Sequence, residues 1–181
     1  MALSPRGRAL RWLTNHRGIT ESPPGSNTDS RADGIRHAQV TCAAGGNWLV
    51  GQPWCGIWHY MALRAGGVKG ISSRQASVAL IELDARARRD PYGHGWVTPE
   101  MSGWHKRVNR GDGVVLFGRG IHVETVRSVA WVYRKFGLIR TEGGNTSSGN
   151  TGSQDNGGGA FPRLRRISDV RGFACVDYPD K

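Results

Sequence analysis

The pattern of apolar residues changes near Pro91, and this change constrains the fold more than any other feature of the chain. Before Pro91, apolar side chains recur at the three- and four-residue spacing of amphipathic helices. After it, short alternating or β-branched runs are separated by glycine and charge, as in antiparallel strands joined by turns. Helices followed by strands indicate an α+β fold, in which N-terminal helices pack on an antiparallel β-meander.

The expected helices lie in the first half of the chain. Ser4 and Pro5 suit the N-cap and the first helical residue of one of them, and the Gly66–Gly67 pair ends another. Serine at 72 or 73 caps the last helix, which carries a clear apolar stripe. The predicted helical segments are 4–16, 29–44, 54–67 and 72–89.

The expected strands follow in the second half, and a polar, glycine-rich loop at 145–159 separates the last one from the others. We expect one domain over 1–181, with a motif-bearing core at about 20–150, because a chain of 181 residues is long enough for one substantial core. The predicted strand segments are 111–119, 121–129, 130–137, 138–144 and 172–178.

No stretch of the sequence has the length and apolar character of a membrane span. The basic N-terminal segment 1–18 lacks the apolar core and the cleavage site of a secretory signal. We therefore expect a protein that is made in a cytoplasm without a signal peptide. We also expect a monomer. The three cysteines are too few and too scattered for a disulfide framework, so we expect free thiols, with Cys42 and Cys175 as the one pair that could form.

The formal net charge is +11, which indicates an anionic partner such as nucleic acid, a membrane surface or a bacterial wall. The densest basic runs, at 84–89 and 161–166, are not interleaved with aromatic residues as in single-strand nucleic-acid platforms. Each is equally consistent with a solvated basic face. No helix-turn-helix, zinc-finger or RNA-binding signature is present, so we expect no specific nucleic-acid partner.

Cys55 lies in the first turn of a predicted helix, directly after Pro53 and Trp54. Unpaired backbone N–H groups and the helix dipole favour an anion at this position. They lower the pKa of a cysteine thiol and can also hold an oxyanion. Cys55 is therefore a candidate nucleophile, although a buried structural thiol would fit the same position.

A nucleophilic cysteine needs a base, and the base needs a group that orients it. Of the six histidines, only His122 lies on a predicted strand with a polar partner on a nearby strand. The polar partner is Glu142, near the end of the predicted strand at 138–144, and Asn145 follows it closely. The "HVE" at 122–124 also fits the His-x-Glu of zinc deaminases, but their later Pro-Cys-x-x-Cys is missing. We therefore expect neither a metal nor a cofactor.

Three motifs together resemble the CHAP domain, the cysteine- and histidine-dependent amidohydrolase/peptidase family of papain-like peptidoglycan hydrolases. They are "PWCGIW" at 53–58, "GDGVVLFGRGIHVETV" at 111–126 and "EGGNTS" at 142–147, and the resemblance extends over about 20–150. The family has a cysteine at a helix N-terminus, "GD" opening a strand, a histidine on the next strand and an acidic or amide residue on a later one.

The resemblance implies that Cys55 is the nucleophile, His122 the general base and later acid, and Glu142 the residue that orients the imidazole. The family pattern is commonly Glu-x-Asn, whereas two glycines separate Glu142 from Asn145 here. Either residue can therefore be the contact of His122. We favour Glu142, with Asn145 as a second polar contact.

Three further residues have candidate roles near the nucleophile. Gln52 precedes Cys55 by three residues and is either an oxyanion-hole donor or a solvent-facing loop residue. Trp54 is the best candidate among the tryptophans for the wall of a substrate groove. Asp112 is expected to shape the turn before its strand, and not to take part in the chemistry.

The resemblance thus implies hydrolysis of a peptidoglycan amide bond by a phage lysin, either an endopeptidase or an N-acetylmuramoyl-L-alanine amidase. Its expected partners are bacterial peptidoglycan and anionic cell-wall polymers, and its place of action is the bacterial wall. The alternative is a basic, non-enzymatic protein that binds nucleic acid or belongs to the structure of a phage particle.

Overall fold

A computed structural model describes residues 2–117, 122–146 and 158–179. Over this part of the chain it has an α+β architecture with an antiparallel sheet, which confirms that part of the predicted fold. The helices are α1 (Pro5–Asn15), α2 (Ile35–Cys42), α3 (Cys55–Ala65), α4 (Val78–Arg86), α5 (Trp104–Arg107) and α6 (Trp131–Arg134), with short 3₁₀ helices at Ser73–Ala76 and Ile167–Asp169. The strands are β1 (Gly95–Val97), β2 (Gly113–Leu116), β3 (His122–Ser128), β4 (Leu138–Thr146), β5 (Gly159–Arg166) and β6 (Val170–Cys175).

Serine side chains determine where several helices begin. The Ser4 hydroxyl accepts a hydrogen bond from the Gly7 N–H at 3.2 Å and caps α1, as predicted. The predicted helix at 72–89 is wrong as a single element, because Ser77 is extended and divides it. Ser72 caps the 3₁₀ helix on one side of the break, and Ser77 caps α4 on the other.

The six strands form one sheet in the order β1-β6-β2-β3-β4-β5, and every neighbouring pair is antiparallel. Strands β2, β3 and β4 belong to the expected meander, and β5, which was not predicted as a strand, extends it. The last strand, β6, inserts between β2 and β1. The basic run at 161–166 lies in β5, the edge strand, and most of the predicted loop at 145–159 lies outside the described residues.

The predicted strand at 130–137 is wrong, because its centre forms the short helix α6. The Ser128 hydroxyl accepts a hydrogen bond from the Ala130 N–H, and the chain turns there to connect β3 with β4. Trp131, Val132 and Phe136 are consequently exposed and do not pack in the sheet.

Helix α3 lies between the helices α1 and α2 and the strands β3 and β4, and contacts all four. Its side chains from Cys55 to Leu63 are all buried, which explains the apolar character of this helix around its whole circumference. No helix among the described residues is both long enough and apolar enough to span a bilayer.

Candidate active site

Cys55 is the first residue of α3, as its position after Pro53 predicted. No side chain caps this helix, so the backbone N–H groups of its first turn are available to an anion. Gly56 lets the 3₁₀ helix at 73–76 pack against the helix start. A Cβ at Gly56 would overlap the carbonyl oxygen of Gln75 and lie 2.8 Å from that of Ala76.

His122 is the first residue of β3, and the structure brings its ring close enough to Cys55 for each to shift the pKa of the other. Both side chains are buried. The His122 ring also hydrogen-bonds through Nε2 to the Glu124 carboxylate, 3.2 Å from Oε1.

Glu124 is the residue that the sequence analysis missed. It is fully buried, and it lies on the same face of β3 as His122 because side chains alternate along a strand. Arg165 forms two hydrogen bonds to its carboxylate, and the Thr141 hydroxyl donates a third at 2.5 Å. The available signal was "HVE", where a two-residue spacing on a strand places both side chains on one face.

Glycine opposite Glu124 makes room for this buried network. A Cβ at Gly143 would lie 2.6 Å from the Glu124 Cγ. At Gly144, a Cβ would overlap the Trp54 ring and lie 2.7 Å from the Trp58 ring. The two glycines that separate Glu142 from Asn145 are therefore explained by packing against the carboxylate on one side and the tryptophans on the other.

The electrostatics of the three residues favour a thiolate–imidazolium pair. Burial raises the pKa of the Cys55 thiol. Interactions with His122 and with the backbone of Val123 and Gly56 lower the pKa by more than burial raises it, so the net shift is downward. Burial lowers the pKa of His122, but its contacts with Cys55 and Glu124 outweigh this effect and raise it to about 10. Although burial opposes ionisation of Glu124, Arg165 and His122 hold its pKa well below the usual range.

The predicted contact between Glu142 and His122 is wrong. Glu142 lies directly opposite Thr125 in the β3–β4 ladder, so its side chain is on the face of the sheet opposite to that of His122 and Glu124. There Arg17 donates two hydrogen bonds to the Glu142 carboxylate, at 2.6 and 2.9 Å, and Arg127 lies 3.4 Å away.

Asn145 is also engaged away from His122, with its Nδ2 3.4 Å from the Asn27 side-chain oxygen. It is buried and has a positive φ of 55° at an irregularity in the β4–β5 ladder. Its own side-chain oxygen has no hydrogen-bond partner within the described ranges. The structure therefore does not bring Asn145 into contact with the imidazole.

The predicted groove position of Trp54 is wrong. Its ring is fully buried, packs edge-on against Trp58, and donates a hydrogen bond from Nε1 to the Glu21 carboxylate at 3.0 Å. Gln52, in contrast, is exposed and borders the same cleft as Cys55.

That cleft, of about 600 Å³, opens beside Cys55 between the 48–53 loop and the 73–80 segment. Trp48, 60 % exposed, is the large aromatic side chain on its border. The cleft is lined by Trp48, Leu49, Gln52, Pro53, Cys55, Ser73, Arg74, Ala76, Ser77, Val78, Ala79 and Leu80. Its lining is mostly apolar, with hydroxyl and amide groups at a few points.

Asp112 and the other two cysteines do not belong to the group formed by Cys55, His122 and Glu124. Asp112 accepts hydrogen bonds from the N–H groups of Asn109 and Val176, and so shapes the turn before β2 as expected. Burial raises the pKa of the Cys42 thiol to about 12, and burial also raises that of Cys175. Among the described residues, no group of three or more His, Cys, Asp or Glu side chains is arranged to hold a metal ion.

The arrangement of Cys55, His122 and Glu124 is chemically suited to acyl transfer. It combines a thiol of lowered pKa at a helix start, an acid–base group close to it, and a carboxylate that orients the ring. Comparisons of the chain with protein-family models, with curated proteins and with solved structures find no match.

Proposed function

We propose that this protein is a papain-like cysteine hydrolase that cleaves an amide bond of bacterial peptidoglycan. The observation that carries the proposal is the buried group Cys55, His122 and Glu124, in which His122 interacts with the thiol and hydrogen-bonds to the carboxylate, with the sulfur beside an open cleft. A buried structural thiol would have a raised pKa, as Cys42 and Cys175 do, whereas that of Cys55 is lowered.

In the first half of the reaction, the Cys55 thiolate attacks the carbonyl carbon of the scissile amide. The developing oxyanion is stabilised by free N–H groups at the start of α3. Gln52 borders the cleft and is a further candidate donor. The imidazolium of His122 then gives its proton to the amine nitrogen, the C–N bond breaks, and an acyl-enzyme thioester remains.

In the second half, neutral His122 takes a proton from water, and the resulting hydroxide attacks the thioester. The acid product leaves, and Cys55 returns to the thiolate while His122 stays protonated. Glu124 favours this protonated state throughout and keeps the ring in one orientation. Arg165 in turn keeps Glu124 ionised.

The substrate class rests on the resemblance of the three motifs to CHAP domains and on the net charge of +11. Bacterial walls carry anionic polymers and carboxylates, to which a basic enzyme is attracted. Both a stem-peptide or cross-bridge endopeptidase and an N-acetylmuramoyl-L-alanine amidase fit this chemistry. Mass spectrometry of the digested wall fragments identifies the bond that is cleaved.

Substitution of the nucleophile tests the proposal directly. Cys55→Ala is expected to abolish clearing of a wall suspension while circular dichroism shows a folded protein. His122→Ala is expected to be about as damaging, because members of a catalytic unit act non-additively. Cys42→Ser and Cys175→Ser are the matched controls and should retain substantial activity. More than a few per cent of activity in folded Cys55→Ala would remove Cys55 from the mechanism.

A further inference from the structure

A groove with three arginines lies between α1 and the end of β3, away from the proposed catalytic residues. It has a volume of about 360 Å³ and is called the arginine groove below. Its lining residues are Leu3, Gly7, Leu10, Arg11, Thr14, Asn15, Arg110 and Arg127. Arg127 follows His122 by five residues on β3, which corresponds to about 17 Å along the strand.

The positive charge around this groove exceeds the negative charge. Glu142 is the buried carboxylate beside Arg127, but Arg17 already binds both of its oxygens. Arg127 is only 16 % exposed, and its Nη1 donates a hydrogen bond to the Leu10 carbonyl. One carboxylate therefore faces two close guanidinium groups, and Arg110 and Arg140 add further positive charge nearby.

The pKa of Arg127 reflects this imbalance. Burial lowers it, Glu142 raises it, and the charges of Arg17, Arg110 and Arg140 lower it again, with a downward net shift. A buried cation among other cations is stabilised by an added anion. Arg11 and Arg110 are exposed, and within the described part of the chain neither has an ion-pair partner, so both guanidinium groups are available to that anion.

The shape and lining of the groove define the kind of anion. Guanidinium groups bind phosphate oxygens in pairs, and several of them around one groove favour a ligand with repeated phosphates. The groove follows α1 from Gly7 to Thr14, about 10 Å, which suits a chain better than a single ion. No aromatic side chain is among its lining residues in the described structure, so stacking of nucleic-acid bases has no platform there.

We propose that the arginine groove binds a phosphodiester-linked anionic polymer of the bacterial wall and thereby holds the protein on its substrate. The choice of a wall polymer rests on the proposed function, whereas the groove and its charge do not. The site adds a specific attachment point to the general attraction of a basic protein for an anionic surface.

Binding of soluble poly(glycerol phosphate) to the otherwise unaltered protein tests this proposal. The double variant Arg11→Gln/Arg110→Gln is expected to weaken binding at least tenfold at about 50 mM salt. It should also reduce the slope of log K against log salt concentration by about two, since two phosphate contacts are lost. The control Arg36→Gln/Lys106→Gln removes the same charge from exposed positions on α2 and α5, and it should change both quantities little.

Three results would overturn the proposal: no binding of the polymer by the unaltered protein, an equal loss in both double variants, or tighter binding of duplex DNA with the same dependence on Arg11 and Arg110. The second would mean diffuse attraction, and the third a nucleic-acid site. Because poly(glycerol phosphate) contains no amide bond, its binding is independent of whether Cys55 is a nucleophile. The groove and the proposed hydrolase can therefore fail separately.

Discussion

At the scale of single residues, two buried glutamates on neighbouring strands have different partners. Glu124 contacts His122 and Arg165 on one face of the sheet, while Glu142 contacts Arg17 and Arg127 on the other. Each carboxylate is paired with guanidinium groups on its own face. One is placed to orient the imidazole, and the other holds α1 and the adjoining chain to β4.

Substitutions at the two glutamates should therefore affect different properties. Glu124→Gln is expected to lower kcat/KM about 100-fold or more and to shift the alkaline limb of the pH profile downward, because the amide no longer stabilises the imidazolium. Glu142→Gln is expected to lower the free energy of unfolding by about 2–4 kcal/mol, since it leaves two arginines without a full counter-charge. Steady-state kinetics across pH and chemical denaturation measure the two effects, and the reverse assignment would contradict this interpretation.

The thiolate–imidazolium pair also predicts the pH dependence of alkylation. Cys55 has a lowered pKa and His122 one of about 10, so the ion pair is lost as the pH rises through the pKa of His122, and the thiolate is lost as the pH falls through that of Cys55. The rate of Cys55 modification by iodoacetamide should thus rise less from pH 7 to pH 8.5 than that of an ordinary thiol, which gains about 20-fold. Peptide mass spectrometry identifies the adduct. First modification at Cys42, or a rate that follows an ordinary thiol, would be evidence against the pair.

At the scale of elements, the start of α3 depends on its contact with the 3₁₀ helix at 73–76. Gly56 allows the two backbones to approach, because any Cβ there would meet the carbonyl oxygens of Gln75 and Ala76. The same 3₁₀ segment contributes Ser73, Arg74 and Ala76 to the cleft beside Cys55. Packing at one glycine therefore sets both the helix start and one wall of the cleft.

Gly56→Ala tests this dependence. Neither carbonyl oxygen can rotate away as a flexible side chain would, so the variant is expected to lose about 1–3 kcal/mol of stability and much of its kcat/KM. Gly7→Ala is the matched control, because its Cβ would meet side-chain atoms and not a backbone carbonyl. The nearest are the Ser4 hydroxyl oxygen at 3.2 Å and the Leu3 side chain at 3.4 Å. Thermal unfolding and kinetics on one soluble fragment give both quantities. A Gly56→Ala protein with unchanged stability and activity would show that the contact is dispensable.

At the scale of the whole molecule, the net charge of +11 should govern how the protein meets its substrate. Long-range attraction between charges is screened by salt, with a Debye length of about 8 Å near physiological ionic strength. Under the proposed function, attack on whole walls is expected to depend on this attraction, whereas cleavage of a small neutral fragment is not.

Wall binding and lysis are accordingly expected to fall steeply as salt rises from roughly 50 to 500 mM. Cleavage of a soluble, neutral peptide fragment should change little over the same range. The two salt dependences are measured with one enzyme preparation, so that inactivation by salt affects both. Equal slopes would show that the charge is not a wall anchor.

Local patterns in the sequence determined the fold class and the position of the candidate nucleophile. Helical periodicity, serine caps and a proline before Cys55 depend on neighbours within a few residues, and the structure agrees with them at α1 and α3. The α+β class followed in the same way from the change of pattern near Pro91. The segment at 130–137 was mistaken for a strand because its aromatic and β-branched residues have strand propensity, which a short connection between two strands overrides.

The spacing in "HVE" allows Glu124 to lie beside His122, but only the tertiary structure decided between Glu124 and Glu142 as the contact of His122. That choice depends on the pairing of β3 with β4, because a shift of one residue exchanges the faces of every side chain. It also depends on Arg165, which is 41 residues from Glu124 in the chain and supplies the charge that keeps a fully buried glutamate ionised. Trp54 likewise became a core residue through its contacts with Trp58 and Glu21. Register and long-range ion pairs are set by the packing of the whole molecule, and no local pattern contains them.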